Sequence, residues 1–178
     1  IFLDSQLLNF EKSYIRQNKG IYRAAVGSGT EALIIALKLF NVQKGDEVIT
    51  VSNTAIPTVS AITNVGGKPK FVDIGDDYLI DVNKIEKLIS KKTKVIIPVH
   101  LYGQSCDMDK INKIAKKYNL KVIEDCAQAQ GATYKGKFVG TLGDAGCFSF
   151  YPTKILGAYG DGGFVLTKKF DLYKKIKR

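Results

Sequence analysis

The sequence is short of the residues on which several kinds of site depend. Its 178 residues contain one histidine, His100, and three cysteines with no CxxC pair among them. A single histidine cannot build a multi-histidine metal site, and an odd number of spaced cysteines argues against a disulfide framework or a zinc knuckle. We therefore predict no metal site and expect reduced, partly buried thiols in a cytoplasmic protein.

Long apolar runs are also lacking, since no segment approaches the roughly 20 residues that a membrane-spanning helix needs. The opening stretch carries Asp4, Glu11 and Lys12, which does not fit a signal peptide. With 45% hydrophobic and 25% charged residues, the composition is that of an ordinary globular domain. These features favour a folded domain that does not contact a membrane.

Arginine is scarce, although the formal net charge is +10. Only Arg16, Arg23 and Arg178 occur, so lysine carries nearly all of the positive charge, most densely at residues 168–178. Nucleic-acid-binding proteins favour arginine for paired contacts with bases and phosphates. The preferred interpretation is therefore a solvated basic surface without a nucleic-acid partner, and binding to nucleic acid or an anionic membrane is the alternative.

What the sequence does contain is an alternation of short apolar segments with amphipathic ones. It predicts strands at Glu47–Val51 and at residues 70–74, 94–99 and 121–124, and helices at residues 30–40, 82–89 and 108–118. Such alternation indicates an α/β fold with a mostly parallel sheet covered on both faces. Two later strands, at residues 147–151 and Gly163–Thr167, have no helix between them, so we expect this part to join the sheet antiparallel.

A turn of small residues, GSGTE at residues 27–31, precedes the first of these helices. Free amides and the partial positive charge at a helix start bind phosphate. Ser28 and Glu31 also have the spacing of a capping box, a local role compatible with phosphate binding. The turn matches neither a Walker A loop nor GxGxxG, which disfavours a dinucleotide-binding fold.

Two further segments carry candidate chemistry. An apolar strand ends at Asp125, where a carboxylate can pair with a cationic ring nitrogen, and Gln128 follows as a hydrogen-bond donor; the alternative is that Asp125 only caps the next segment. Lys154 follows a strand and a proline turn and precedes the run GAYGDGG at residues 157–163. Most lysines are solvated, but desolvation in such a setting would make the amine nucleophilic toward an aldehyde.

His100 ends the strand predicted at residues 94–99. A histidine whose hydrogen bonds are satisfied within the fold is the preferred interpretation, and lining a cofactor or substrate pocket is the alternative.

The other features fit one ligand together. A phosphate cradle, a strand-end carboxylate and a partly buried lysine are the groups needed to hold pyridoxal 5′-phosphate.

Five segments carry a more specific resemblance. They are SGTEAL at residues 28–33, PVHLYG at 98–103, EDCAQ at 124–128, SFYPTK at 149–154 and GAYGDGG at 157–163. In this order they resemble the DegT/DnrJ/EryC1/StrS sugar aminotransferases over nearly the whole chain. The resemblance implies a fold-type I pyridoxal-phosphate enzyme, with residues 1–178 forming most of its three-layer α/β/α large domain.

The resemblance also implies a role for each matching residue. Lys154 would bind the cofactor aldehyde and shuttle a proton as the catalytic residue, Asp125 would pair with the pyridine nitrogen, and Gln128 would contact the ring hydroxyl. The phosphate would be held by Ser149 and by the backbone of Gly29, Thr30 and Glu31. The implied reaction moves an amino group, with glutamate as donor, to a nucleotide-linked keto-sugar for surface polysaccharide, lipopolysaccharide or glycoside synthesis. The implied assembly is a homodimer with active sites at its interface.

The chain departs from the family pattern in two respects. Many members have an aromatic residue that stacks on the cofactor ring where this sequence has Ala55, so no stacking residue is assigned. Members are also much longer, so a short stretch before Ile1 and the smaller C-terminal domain are expected to be missing. We further expect the isolated chain to show poor solubility or altered association.

Three alternatives follow from these departures and from the motifs. One is a catalytically incompetent fragment that keeps only the cofactor scaffold. Another is a related sugar dehydratase, but those enzymes have histidine in place of the lysine, and this chain has Lys154. The last is a generic nucleotide-binding α/β module, which the missing GxGxxG disfavours.

Overall fold

The computed structural model describes residues 5–14 and 21–177, so that Arg16, Arg178 and the first residues of the chain lie outside it. The helices are α1 (Ser5–Ser13), α2 (Gly29–Leu39), α3 (Ile56–Asn64), α4 (Val82–Ile85), which continues as a 3-10 turn (Glu86–Leu88), α5 (Met108–Lys117) and α6 (Phe170–Ile176). The strands are β1 (Tyr22–Val26), β2 (Glu47–Val51), β3 (Lys68–Val72), β4 (Thr93–Ile96), β5 (Lys121–Asp125), β6 (Thr133–Tyr134), β7 (Lys137–Phe138), β8 (Ala145–Ser149) and β9 (Gly163–Thr167).

The main sheet of the described residues has seven strands in the order β1-β9-β8-β5-β4-β2-β3. The pairs from β3 across to β8 are parallel, which confirms the expected mostly parallel sheet. β9 runs antiparallel to both β8 and β1, as predicted for strands with no crossover helix between them. β6 and β7 form a separate small hairpin.

Helices cover both faces of this sheet because side chains alternate along buried strands. On β4 and the residue after it, Val95 and Ile97 pack with α2 and α3, whereas Ile96 packs with α4 and α5 on the other face. The predicted apolar stripe of Leu33, Ala36, Leu37 and Phe40 is present, with the first three buried and Phe40, just after α2, partly buried. The three-layer α/β/α architecture follows directly from this double burial.

Some predicted boundaries were wrong. β3 ends at Val72 rather than at residue 74, because the backbone carbonyl of Asp73 accepts the Asp81 amide and the chain turns away from the sheet. β8 also ends early, at Ser149, because the next residues form the turn that leads to Lys154. The sequence pattern did not identify α1, β1 or α3.

All three cysteines are free thiols, as expected, but they are fully rather than partly buried. Burial raises the pKa of Cys106 to about 12 and keeps the thiol protonated and unreactive. Within the described residues, no helix has the length and apolar character required to cross a membrane.

A buried carboxylate, Glu124, ties the centre of the sheet to two loops. Its Oε2 accepts from His100 Nε2 at 3.0 Å and from the Gly140 amide at 2.7 Å. Its Oε1 accepts from the amides of Leu142 at 2.7 Å and Gly143 at 2.6 Å. Both oxygens therefore have two donors each, which offsets the cost of burying the charge.

We expect Glu124→Gln to destabilise the fold by about 3 to 5 kcal/mol, because the new amide group would face two donors and leave both of them without an acceptor. Urea unfolding followed by circular dichroism measures this. The matched control is Glu86→Gln, since Glu86 accepts from Lys117 and Tyr118 at the exposed surface and its replacement should change stability little. Equal unfolding midpoints for the two variants would contradict the assignment.

Candidate functional site

A cavity of about 200 Å³ opens where the ends of β5 and β8 meet the N-termini of α2 and α3. This is the edge at which ligands bind in open parallel sheets. The lining includes the predicted site residues Gly29, Thr30, Asp125, Gln128, Ser149 and Lys154. The fold therefore brings six of the seven predicted residues to one cavity and leaves Glu31 outside its lining.

Glu31 caps the helix instead. The Ser28 hydroxyl accepts the Glu31 amide at 3.1 Å, and the Glu31 carboxylate accepts the amide of Gly27 at 2.5 Å. This is the predicted capping arrangement, with Gly27 in place of Ser28 as the second donor. Because the Glu31 amide is engaged here, we do not expect it to contact an anion in the cavity.

The remaining amides at the start of α2 belong to Gly29 and Thr30, which do line the cavity. A β-carbon added at Gly29 would lie 2.5 Å from Cβ of Ser149, so only glycine allows α2 to approach β8 this closely. The Ser149 hydroxyl accepts the Tyr151 amide at 3.3 Å, which leaves its own hydrogen available to a ligand. Helix amides and a hydroxyl therefore converge as an anion cradle.

Asp125 lines the same cavity and is only 4% exposed. Its Oδ2 accepts from the Thr58 hydroxyl at 2.8 Å, and its Oδ1 accepts from the Ala127 amide at 3.1 Å. Burial raises the pKa of Asp125, whereas these hydrogen bonds and the nearby Lys154 act to lower it. The site thus holds a buried carboxylate beside a cation, suited to pairing with a protonated ring nitrogen.

His100 is fully buried and belongs to the Glu124 network rather than to the cavity lining. Its Nδ1 accepts the Cys106 amide at 3.1 Å, so the ring proton is on Nε2 and is donated to Glu124. The structural interpretation of His100 is the one that this geometry supports. The Cys126 sulfur lies within 4.8 Å of the nearest His100 and Glu124 ligand atoms, a grouping of the kind that can hold a metal ion. Both Glu124 oxygens are already occupied by backbone and histidine donors, which does not suit such a role.

Lys154 lies on the loop of residues 150–162 that joins β8 to β9, and its side chain is partly buried. Its amide donates to the carbonyl of Tyr151 at 2.8 Å, which closes the turn introduced by Pro152. The lysine therefore reaches the cavity from the turn that follows β8, close enough to Asp125 to act on its charge. An amine, a carboxylate and an anion cradle thus surround one space.

Sequence reasoning missed Gln130, which anchors this loop. Its side-chain nitrogen donates to the carbonyls of Ser149 at 2.5 Å and Leu156 at 3.3 Å, and its oxygen accepts the Leu156 amide at 2.7 Å. Gln130 therefore ties the end of β8 to the segment that follows Lys154. The only hint in the sequence is a polar residue among small ones beside the predicted site.

The chain is similar to known aminotransferases over nearly its full length. A sequence model described as the DegT/DnrJ/EryC1/StrS aminotransferase family matches residues 4–178. A dTDP-3-amino-3,4,6-trideoxy-alpha-D-glucose transaminase from Micromonospora megalomicea subsp. nigra is 47% identical, covering 100% of this chain and 48% of the relative. The chain thus spans about half the length of this curated relative.

Two solved structures have the same fold. DesV of S. venezuelae, in complex with a ketimine intermediate, has a TM-score of 0.94 at 37% identity, covering 98% of this chain and 47% of that one. NtdA from Bacillus subtilis, with bound cofactor PMP, has a TM-score of 0.88 at 40% identity, covering 97% and 39%.

We expect Gln130→Ala to loosen the loop that carries Lys154. The Leu156 amide and the carbonyls of Ser149 and Leu156 would all lose their side-chain partner. Hydrogen exchange followed by mass spectrometry should show roughly tenfold faster exchange in peptides covering residues 150–162, with the strands unchanged. Gln104→Ala, at an exposed glutamine on a different loop, is the control. Unchanged exchange in Gln130→Ala would mean that the loop is held by other contacts.

Proposed function

The chain belongs to the DegT/DnrJ/EryC1/StrS aminotransferase family, and we propose that the protein transfers an amino group to a nucleotide-linked keto-sugar with pyridoxal 5′-phosphate as cofactor. The observation that carries this proposal is the convergence of Lys154, Asp125 and the cradle of Gly29, Thr30 and Ser149 on one cavity. Because the chain spans about half of its curated relative, the activity is proposed for the whole protein.

The residues present fit the cofactor chemically. The cradle offers amides and a hydroxyl, which match the phosphate group. Asp125 is a buried carboxylate and would pair with the protonated pyridine nitrogen, and Gln128 would donate a hydrogen bond to the ring hydroxyl. The close approach of Gly29 to Ser149 leaves no space there for a side chain, which suits a ligand held by backbone groups.

When bound, pyridoxal phosphate supplies an aldehyde that carries the amino group and a ring that accepts electrons. Lys154 would hold the aldehyde carbon and, once released, would move a proton between the donor's α-carbon and the cofactor carbon. Asp125 would keep the ring nitrogen protonated throughout. Residues 150–162 would hold the backbone of Lys154 in place while its side chain moves.

The substrate class is suggested by the relatives. The M. megalomicea relative is a transaminase named for a dTDP-linked amino sugar, which supports a nucleotide-linked keto-sugar as acceptor. We propose glutamate as donor, a cytoplasmic location and products used for surface polysaccharide or lipopolysaccharide. Ala55 lines the cavity at the position where many family members carry the aromatic residue that stacks on the cofactor ring.

The prediction that tests the cofactor site concerns Lys154. Wild-type protein incubated with pyridoxal phosphate should gain the visible absorbance band of a lysine-bound cofactor. Borohydride reduction should then fix the cofactor on the peptide that contains Lys154. Lys154→Ala should lose both signals and the glutamate-dependent amination of a dTDP-linked keto-sugar, because the attacking amine is gone.

The matched control is Lys168→Ala, an exposed lysine outside the cavity lining, which should retain the band and the labelled peptide. If wild type and Lys154→Ala bind the cofactor indistinguishably, the assigned role of Lys154 is wrong. Cofactor binding at Lys154 without amination of any nucleotide-linked keto-sugar would instead overturn the substrate class.

We also propose a homodimer, supported by exposed apolar residues on the Lys154 loop. Ile155 is 68% exposed, and Tyr151, Leu156 and Tyr159 are exposed beside it. Surfaces of this kind are typical of protein interfaces. A partner copy placed here would lie next to the cavity.

Ile155→Asp is therefore expected to weaken dimerisation, because it would bury an unpaired charge in the interface. Sedimentation velocity measures the monomer fraction over a concentration series. Phe71→Ser, at an exposed residue on edge strand β3, is the control and should sediment as wild type. A monomeric wild type, or a dimer indifferent to Ile155→Asp, would refute this interface.

A further inference from the structure

Two threonine hydroxyls lead from the start of α3 to Asp125. The Thr58 hydroxyl donates to Asp125 Oδ2 at 2.8 Å, and the hydroxyls of Thr54 and Thr58 are 2.7 Å apart. Thr58 is buried, and both threonines line the cavity. The two segments meet only in the folded protein, since Thr58 and Asp125 are 67 residues apart in the chain.

The direction of this chain of hydrogen bonds is fixed. A hydroxyl has one hydrogen, and that of Thr58 is given to Asp125. Thr54 must therefore donate to Thr58, which makes the Thr58 hydroxyl a more polarised donor. A donor aimed at a carboxylate favours its ionised form, whereas burial favours the neutral one.

The local structure holds Thr58 in this orientation. It lies in the first turn of α3, where its amide donates to the Ala55 carbonyl at 3.2 Å, and it shares the buried face of α3 with Ala61 and Ile62. The segment IPTVSAITN contains no charged residue, so α3 can act on Asp125 only through hydroxyl groups and its backbone dipole.

We infer that Thr58 is a positioning residue for Asp125: its hydroxyl, oriented by Thr54, fixes the carboxylate and keeps it ionised toward the ring nitrogen of the cofactor. This inference rests on the proposed function for its purpose, but the link between Thr58 and Asp125 can be tested without the cofactor.

Other charged groups also face Asp125. Lys154 approaches from the loop after β8 and favours the ionised carboxylate. His100, on the turn after β4, is a neutral ring whose proton on Nε2 is donated to Glu124. Glu124 precedes Asp125 on β5 and points into its own network, and Asp161 lines the cavity from the exposed loop. A test must therefore change the hydroxyl alone and leave these charges in place.

The first experiment titrates Asp125 in cofactor-free protein by ¹³C NMR of labelled aspartate carboxyls, with Asp125→Asn to assign the signal. Thr58→Val keeps the shape of the side chain and removes the donor. We expect it to raise the pKa of Asp125, corresponding to a roughly tenfold smaller acid dissociation constant. Thr58→Ser keeps the hydroxyl and should titrate close to wild type.

Thr50→Val is the matched control. Thr50 is a buried threonine on β2 whose hydroxyl donates to the Ile97 carbonyl at 3.0 Å, away from Asp125. Its loss should leave the Asp125 titration unchanged. Should Thr58→Val not fold, Thr54→Val removes only the donor to Thr58 and is expected to give a smaller change in the same direction.

The second experiment measures the purpose of the link with ¹⁵N-labelled pyridoxal phosphate. In wild type the ring nitrogen should give the shift of a protonated pyridine. Thr58→Val should move the shift toward the unprotonated form and weaken cofactor binding several-fold, and Thr58→Ser should restore both. A variant that only loosened the fold would weaken binding without a change in the nitrogen signal.

The outcomes separate this inference from the proposed function. If folded Thr58→Val titrates as wild type at Asp125, or if Thr54→Val changes nothing where Thr58→Val does not fold, the positioning role is refuted while the function stands. If wild type binds no pyridoxal phosphate at Lys154, the proposed function fails, and the ¹³C titration still decides whether Thr58 controls the ionisation of Asp125.

Discussion

The buried Glu124 carboxylate is the interaction on which the rest of the site depends. It accepts hydrogen bonds from the amides of Gly140, Leu142 and Gly143 and from the His100 ring, and so fixes two loops against the end of β5. Because adjacent residues of a strand point to opposite sides, fixing Glu124 on one side directs Asp125 to the other. One carboxylate is used for structure and its neighbour is left for the ligand. The same strand end thus supplies both the anchor and the reactive group.

A second constraint is the absence of side chains where elements meet. A β-carbon at Gly29 would collide with Ser149, and one at Gly163 would lie 2.4 Å from the Ser28 carbonyl oxygen. These glycines let the start of α2 rest on the ends of β8 and β9. The anion cradle is therefore a result of close packing, and the backbone amides reach the cavity because nothing shields them.

Local patterns were enough to predict the fold class and most of the candidate site. The alternation of apolar and amphipathic segments, the strand end at Asp125 and the turn before Lys154 are all visible in short windows of sequence. Thr58 and Gln130 were not predictable, because their partners come from distant segments and a threonine or glutamine alone indicates no contact. The C-terminal end of β3 was misplaced because a backbone hydrogen bond from the Asp81 amide to the Asp73 carbonyl turns the chain there. The pattern of apolar residues does not indicate such a bond.

The antiparallel position of β9 also has a consequence for how the chain is made. β1 pairs with β9, so the backbone hydrogen bonds between the two strands cannot form until the segment that ends at Thr167 has been synthesised. The aromatic side chains at the end of α1 also pack on these late strands: the ring centroids of Phe10 and Phe164 are 5.0 Å apart, and Tyr14 packs against Phe148. During synthesis the first helix and strand therefore leave the ribosome long before their partners exist. The aromatic side chains at the end of α1 therefore lack these partners until β8 and β9 have been translated.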